Sequence, residues 1–136
     1  MEFRKFKQNK LWRDKAVDRL QQTGSIIHWE RLNDHEFSIQ LKEKLIEEAQ
    51  EVAQASTTEQ LCQELADVLE VMNTLCTAHG FTLKEVMVAR EEKHAERGGF
   101  EGRKFVTVAE HLVGSFGEKY CLADPEKYPE ILENSP

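Results

Sequence analysis

Apolar residues recur at three- and four-residue intervals through most of this chain, and strand-like alternation is nearly absent. The pattern predicts an all-α fold. A first helix is expected from about residue 10 to 23, stopping at Gly24, since glycine ends helices well. Residues 25–34 read as a connection. A second helix should start after Asn33 or Asp34, where Asn33 and Glu36 have capping-box spacing, and run to about Ala55. Ser56 and Glu59 form another such pair, opening a third helix that runs to about Ala78 and ends at Gly80. Thr82 and Glu85 open a fourth, which ends at Gly98-Gly99. A shorter helix is expected from Thr107. From Gly114 the pattern weakens to a tail with Pro125, Pro129 and Pro136 and one turn at D-P-E-K-Y. The short link between the two long central helices makes them antiparallel neighbours in a helical bundle. We therefore expect a domain over residues 1–110 and a tail over 111–136, weakly structured or packed on the domain.

The long helices carry acids where the pattern calls for burial. At about 100° per residue with Leu41 at zero, Leu45, Ala49 and Val52 fall within about 80° of it. Glu48 falls near −20°, inside that stripe; Glu51 lies at its edge and Glu47 just outside. With Leu61 at zero on the next helix, Leu65, Val68, Met72 and Leu75 form the stripe, Glu64 lies inside it near −60°, and Asp67 at its border. Each helix thus offers an acid pair at i and i+3, which are neighbours on a helix surface.

An ionised carboxylate in a core costs several kcal/mol unless it is paired, and four together also repel. A cation is therefore implied. No histidine interleaves these acids, and an all-oxygen set favours a hard divalent ion, Mg²⁺ or Mn²⁺. The competing reading is rim glutamates paired with Lys42, Lys44 or Lys84. On the fourth helix, Arg90, His94 and Arg97 continue the stripe begun by Leu83, Val86 and Met87, with Lys93 beside it. A basic helix end next to Gly98-Gly99 suits phosphate, although arginines snorkelling off a core helix would look the same.

Composition narrows the field. A length of 136 residues gives room for one domain, and 40% hydrophobic with 32% charged residues permits a core. The net charge of −7 disfavours a nucleic-acid partner. No apolar run approaches the ~20 residues of a membrane span, and the N-terminus lacks a signal peptide's apolar stretch. Cys62 and Cys76 are too far apart along one helix to pair, roughly 21 Å. These points lead us to expect a cytoplasmic protein whose cysteines are small buried hydrophobes.

Three blocks resemble one family. E-E-A-Q-E at 47–51 and E-L-A-D at 64–67 match E-E-x-x-E … E-x-x-D. K-L-W-R-D-K at 10–15 resembles K-L-V-R-D-K, and K-H-A-E-R-G-G-F-E-G-R at 93–103 resembles K-x-x-E-R-G-G-F. Together they are similar to the MazG-like all-α nucleoside triphosphate pyrophosphohydrolases, in the phosphoribosyl-ATP pyrophosphohydrolase-like branch. The resemblance covers residues 10 to about 105. It implies a helical fold, a homodimer or homotetramer, and Mg²⁺-dependent cleavage of a nucleoside triphosphate to monophosphate and pyrophosphate. Carried over by motif, Glu48, Glu51, Glu64 and Asp67 would be the metal ligands, and Glu47 would orient or deprotonate the attacking water. Lys93 and Arg97 would hold the leaving pyrophosphate, with Arg13 and Lys15 as substrate contacts; an ion pair of Arg13 or Lys15 with Asp14 competes with that role.

Trp12, His28 and Trp29 are candidates for base stacking, with core packing the better reading of Trp12. Apolar residues such as Cys62, Ala66 and Leu69, displaced to another face, also point to an oligomer. House-cleaning of the nucleotide pool is the leading function. Hydrolysis of phosphoribosyl-ATP in histidine biosynthesis, or a non-enzymatic cation-binding helical module, stands as the alternative.

Overall fold

The computed structural model describes residues 2–132, and these contain helices and no strands. The helices are α1 (Asp14–Gln22), α2 (Asp34–Gln54), α3 (Thr58–Ala78), α4 (Leu83–Arg97) and α5 (Phe116–Leu122). Glu133–Pro136, including the tail's last proline, lie outside the described residues.

Local chemistry sets most helix ends. The Asn33 side chain accepts from the Glu36 N–H at 2.9 Å and caps α2. Thr82 and Glu85 cap α4 reciprocally, at 3.2 and 2.7 Å. The cap of α3 is Thr57, one residue later than expected: Thr57 accepts from Gln60, and the Gln60 side chain accepts from Ser56 N–H and Oγ–H. Ser56 is close enough in sequence to satisfy the spacing rule but serves as the outer partner. α1 and α3 both end in Schellman turns, with Gly24 and Gly80 at positive φ (104° and 81°). There Ser25 and Phe81 donate back to Leu20 and Cys76.

α2 and α3 are joined by three residues and pack along each other, and α4 packs against α3. Ser38 Oγ lies 2.8 Å from His79 Nε2, tying the start of α2 to the end of α3, so the two run antiparallel. The seam between them is thin. Leu41, Val71 and Cys76 are its buried apolar residues, and Glu48 on α2 is buried as well. Leu45, Val52, Val68, Met72 and Leu75 are half-buried, as their stripe positions require. Leu61 and Leu65, expected in the same stripe, stay exposed at 38% and 50%. Cys76 is the small buried hydrophobe expected of it, Cys62 is exposed, and all three cysteines are free thiols.

Two expectations give way to the structure. α1 starts at Asp14 instead of about residue 10, because residues 10–13 run as non-helical chain that reaches across to the hairpin. No helix forms at Thr107; α5 begins at Phe116, where Ser115 caps Glu118 N–H and Glu118 returns to Gly114 N–H. The expected turn is present at Pro125–Lys127. The chain divides into two compact units, Met1–Arg97 and Gly98–Pro136. The division falls at the helix stop, where Gly98 has φ 79°. No described helix is long and apolar enough to cross a membrane.

Candidate metal centre

The antiparallel hairpin brings the two acid pairs together. Glu48 and Glu51 on α2 and Glu64 and Asp67 on α3 each offer a carboxylate oxygen, and these oxygens lie within 4.8 Å of one another. Helical spacing supplies half of that closeness, since i and i+3 share a face. The hairpin supplies the rest by placing the two faces opposite each other. Oxygens around an octahedral Mg²⁺ with ~2.1 Å bonds lie about 3 to 4 Å apart, so modest side-chain rotation would close this set on a hard ion.

Burial and charge show that the cluster is uncomfortable without a cation. Glu48 is 6% exposed, and its Oε2 and the Oε2 of Glu64 are buried with no hydrogen-bond partner among the described residues. Buried carboxylate oxygens almost always have partners, so two orphans facing one cluster are a specific sign that a ligand belongs there. Burial pushes the Glu48 pKa up to about 7, helped by contact with the Glu51 carboxyl and its like charge; Lys44 opposes and Asp67 adds. Glu64 is raised for the same reasons: burial, then the Glu51 carboxyl, then Asp67.

Three cations ring the acids without neutralising them. Lys44 Nζ sits 3.6 Å from Glu48 and 3.4 Å from Glu47. Lys10 reaches Glu47 at 3.0 Å, and Arg13 holds Asp67 at 2.7 Å. Burial alone would raise Glu47, but Lys10 and Lys44 outweigh it and leave its pKa below the usual glutamate value. An ionised Glu47 held by two ammonium groups accepts a hydrogen bond from water readily and is a weak proton acceptor at neutral pH.

The other residues singled out in the sequence are less converged. Arg13 pairs with Asp67 in place of Asp14, so within this structure it positions an acid of the cluster. Lys15 is exposed on the first turn of α1, and Lys93 and Arg97 are exposed along α4. No hydrogen bond or ion pair joins these three to the cluster among the described residues. Trp12 is half-buried, while Trp29 is 59% exposed with the Arg31 guanidinium over its ring at 5.7 Å. Lys10 had no role assigned from the sequence. Its contact spans 37 residues and Arg13's spans 54, so no local spacing could disclose them.

All-helical architecture with E-E-x-x-E and E-x-x-D acids facing each other across a hairpin is that of the MazG-like all-α pyrophosphohydrolases. Over residues 15–94, more than half its length, the chain matches the family described as phosphoribosyl-ATP pyrophosphohydrolase, and it belongs to that family. The matched span includes Lys15, Glu47, the four clustered acids and Lys93; Arg13, Arg97 and all that follows fall outside it. Comparison with curated proteins and with solved structures gives no match. The chain is thus a pyrophosphohydrolase-family protein with an acidic cluster fit for a divalent metal.

Proposed function

We propose that this protein is a Mg²⁺-dependent nucleoside triphosphate pyrophosphohydrolase, cutting between the α- and β-phosphates and serving to clear the nucleotide pool. The observation that carries the reading is the four-carboxylate cluster with its two orphaned oxygens. Mn²⁺ would fit the same all-oxygen set. Glu48, Glu51, Glu64 and Asp67 would hold the ion, which when bound supplies Lewis-acid stabilisation of phosphate charge and lowers the pKa of water. Glu47, ionised by Lys10 and Lys44, orients the attacking water through an accepted hydrogen bond. Arg13 keeps Asp67 aimed at the cluster and is close enough to it to meet a phosphate instead. Lys93 and Arg97, with Lys15, bind the outer phosphates and hold the charge of departing pyrophosphate.

Phosphoribosyl-ATP is the second substrate reading, because the matched family is described by that molecule. Both substrates carry the same triphosphate chain, and the difference lies at the base, where phosphoribosyl-ATP bears an added phosphorylated ribose. Screening phosphoribosyl-ATP beside standard and damaged triphosphates, with Mg²⁺ and a pyrophosphate readout, separates the two. Hydrolysis in ¹⁸O-labelled water tests the reaction class: label belongs in the monophosphate, and label in orthophosphate would reject α-phosphorus attack. We further propose a homodimer or homotetramer, since Leu61, Leu65 and Leu69 leave an apolar row exposed on α3. Light scattering giving the 15.8 kDa monomer mass would reject that assembly.

A further inference from the structure

The strap that precedes α1 forms a cleft that the metal centre leaves unused. Residues 8–11 and the outer face of α2 bound a volume of about 560 Å³, within the roughly 300–1,000 Å³ usual for small-molecule sites. Asn9 turns the strap there at φ 49°, in the left-handed region that asparagine tolerates better than most residues. At about 100° per residue, Ile39, Ile46 and Gln50 stand about 140–180° from Leu41, so the cleft opens away from the α2–α3 seam. Its rim still reaches the seam. Lys10, Lys44 and Glu47 line the cleft, and Lys44 Nζ is 3.6 Å from the Glu48 carboxylate. From Gln40 to Gln50 the lining runs about 15 Å along α2 at ~1.5 Å per residue, room for a base and its sugar.

The lining says what the cleft can hold. Gln40 and Gln50 on α2 and Gln8 on the strap bring neutral amides, which both donate and accept and so can pair with a base edge. The aliphatic side chains of Ile39 and Ile46 can cover the face of a ring. The charges leave no free cation for a further phosphate. Lys10 and Lys44 both pair with Glu47, at 3.0 and 3.4 Å. Glu43 lines the same cleft, with no hydrogen bond or ion pair among the described residues. We propose that this cleft is the nucleoside subsite of the enzyme, holding an unphosphorylated base and sugar beside the metal centre, and that Glu43 turns away a substrate carrying a second phosphate there. The triphosphate then leaves the cleft past Lys44 and Glu47 and meets the acidic cluster. Its outer phosphates continue toward α4, which contacts α3 and not α2. The subsite rests on the pyrophosphohydrolase reading, but residues 8–11 precede the span matched to the family, so its roof is this chain's own. It favours ordinary nucleoside triphosphates over phosphoribosyl-ATP, whose added ribose phosphate would meet the Glu43 carboxylate unneutralised.

Isothermal titration of the full chain with Mg²⁺ tests the subsite. The probes are the α,β-methylene analogues of the four standard nucleoside triphosphates, whose bridging carbon blocks cleavage, the same analogue of phosphoribosyl-ATP, and inorganic tripolyphosphate, which has the phosphate chain and no nucleoside. The wild type should bind its preferred nucleoside analogue more tightly than tripolyphosphate. Gln40→Ala with Gln50→Ala should weaken that analogue about tenfold, the loss expected for two hydrogen bonds, and leave tripolyphosphate unchanged. Unchanged tripolyphosphate binding also shows that the variant is folded, and Gln50→Ala alone, at an exposed position, should show the same selective loss at smaller size. Glu43→Gln should raise affinity for the phosphoribosyl analogue severalfold relative to the ordinary one. Equal weakening of analogue and tripolyphosphate, or no weakening of either, would overturn the subsite. A phosphoribosyl analogue that binds the wild type more tightly than the ordinary ones, or gains nothing from Glu43→Gln, would overturn the role of Glu43. Failure of the wild type to bind even tripolyphosphate with Mg²⁺ is a different result: it would reject the metal-centre reading, and the subsite with it.

Discussion

Replacing Glu48 by glutamine should make the metal-free protein more stable at neutral and alkaline pH, though it deletes a proposed metal ligand. Glu48 is the most buried acid of the cluster, and its pKa rises from 4.5 to about 7. At about 1.4 kcal/mol per tenfold change, that rise sets a ceiling of roughly 3 kcal/mol on the cost of its charge. Solvent reaching the half-exposed Glu51 and Asp67 screens part of the repulsion, leaving on the order of 1–2 kcal/mol. The sign follows from proton counting. Between about pH 4.5 and 7 the folded state binds the Glu48 proton and the unfolded state has lost it, so stability falls as pH rises through that window. The penalty is fully present above about pH 7 and absent below about 4.5. Glutamine carries no charge at either end.

Thermal melts with a chelator present should therefore show wild type and Glu48→Gln nearly level at pH 4.5. At pH 8 the variant should lead by roughly 3–8 °C, taking a few degrees per kcal/mol for a chain of this size. Millimolar Mg²⁺ should reverse the order at pH 8, because only wild type keeps the full ligand set. If the metal-free variant at pH 8 were level with wild type or below it, burial of a strained charge at Glu48 would be refuted. A gap already open at pH 4.5 would show that packing, and not charge, separates the two proteins.

Added Mg²⁺ should raise the wild-type melting temperature, by the equivalent of about 2.7 kcal/mol at a hundred times its Kd; no shift at millimolar metal, with or without nucleotide, would count against the centre. Glu64→Gln should abolish pyrophosphate release while circular dichroism stays unchanged, and near-wild-type turnover would remove Glu64 from the ligand set. Arg13→Ala should cost under about 1 kcal/mol, since the Asp67 pair is 60% and 38% exposed, yet raise the KM for the triphosphate severalfold; an unchanged KM would confine Arg13 to Asp67. Asn33→Ala should lower stability by about 1 kcal/mol through loss of the α2 cap, measured by urea unfolding.

What could be read from the sequence was what depends on neighbours along the chain. Asn33–Glu36 and Thr82–Glu85 stated their helix starts because both partners of each cap lie within one turn. Glu48 and Glu64 stood out because a 3.6-residue period assigns each position a face, and the two acids occupied faces meant for burial. What stayed hidden depends on chain segments far apart. The stretch before α1 gives up helix as Lys10 and Arg13 reach Glu47 and Asp67, and no window of residues contains both partners. The exposure of Leu61 and Leu65 was equally illegible: a stripe shows which face seeks cover and not whether this chain supplies it. Thr107 failed as a helix start because β-branched and aromatic residues follow it or precede it closely, and the real cap came at Ser115.

The thin hairpin explains why the acids must be where they are. With only Leu41, Val71 and Cys76 buried along its seam, the pair has little apolar surface to set against the repulsion of four carboxylates. Two unit charges about 4 Å apart interact by about 4 kcal/mol at an effective dielectric of ~20, comparable with the burial of one or two large apolar side chains. The hairpin is therefore poised. Lys44, Lys10 and Arg13 hold its rim, and the two orphaned oxygens of Glu48 and Glu64 leave its centre short of positive charge. A cation entering there relieves repulsion that the fold already bears, so part of its affinity is stored in the metal-free protein. The same argument separates this site from a solvated acidic face, in which the oxygens would be exposed, the pKa values near their usual range, and removal of one charge without effect on stability.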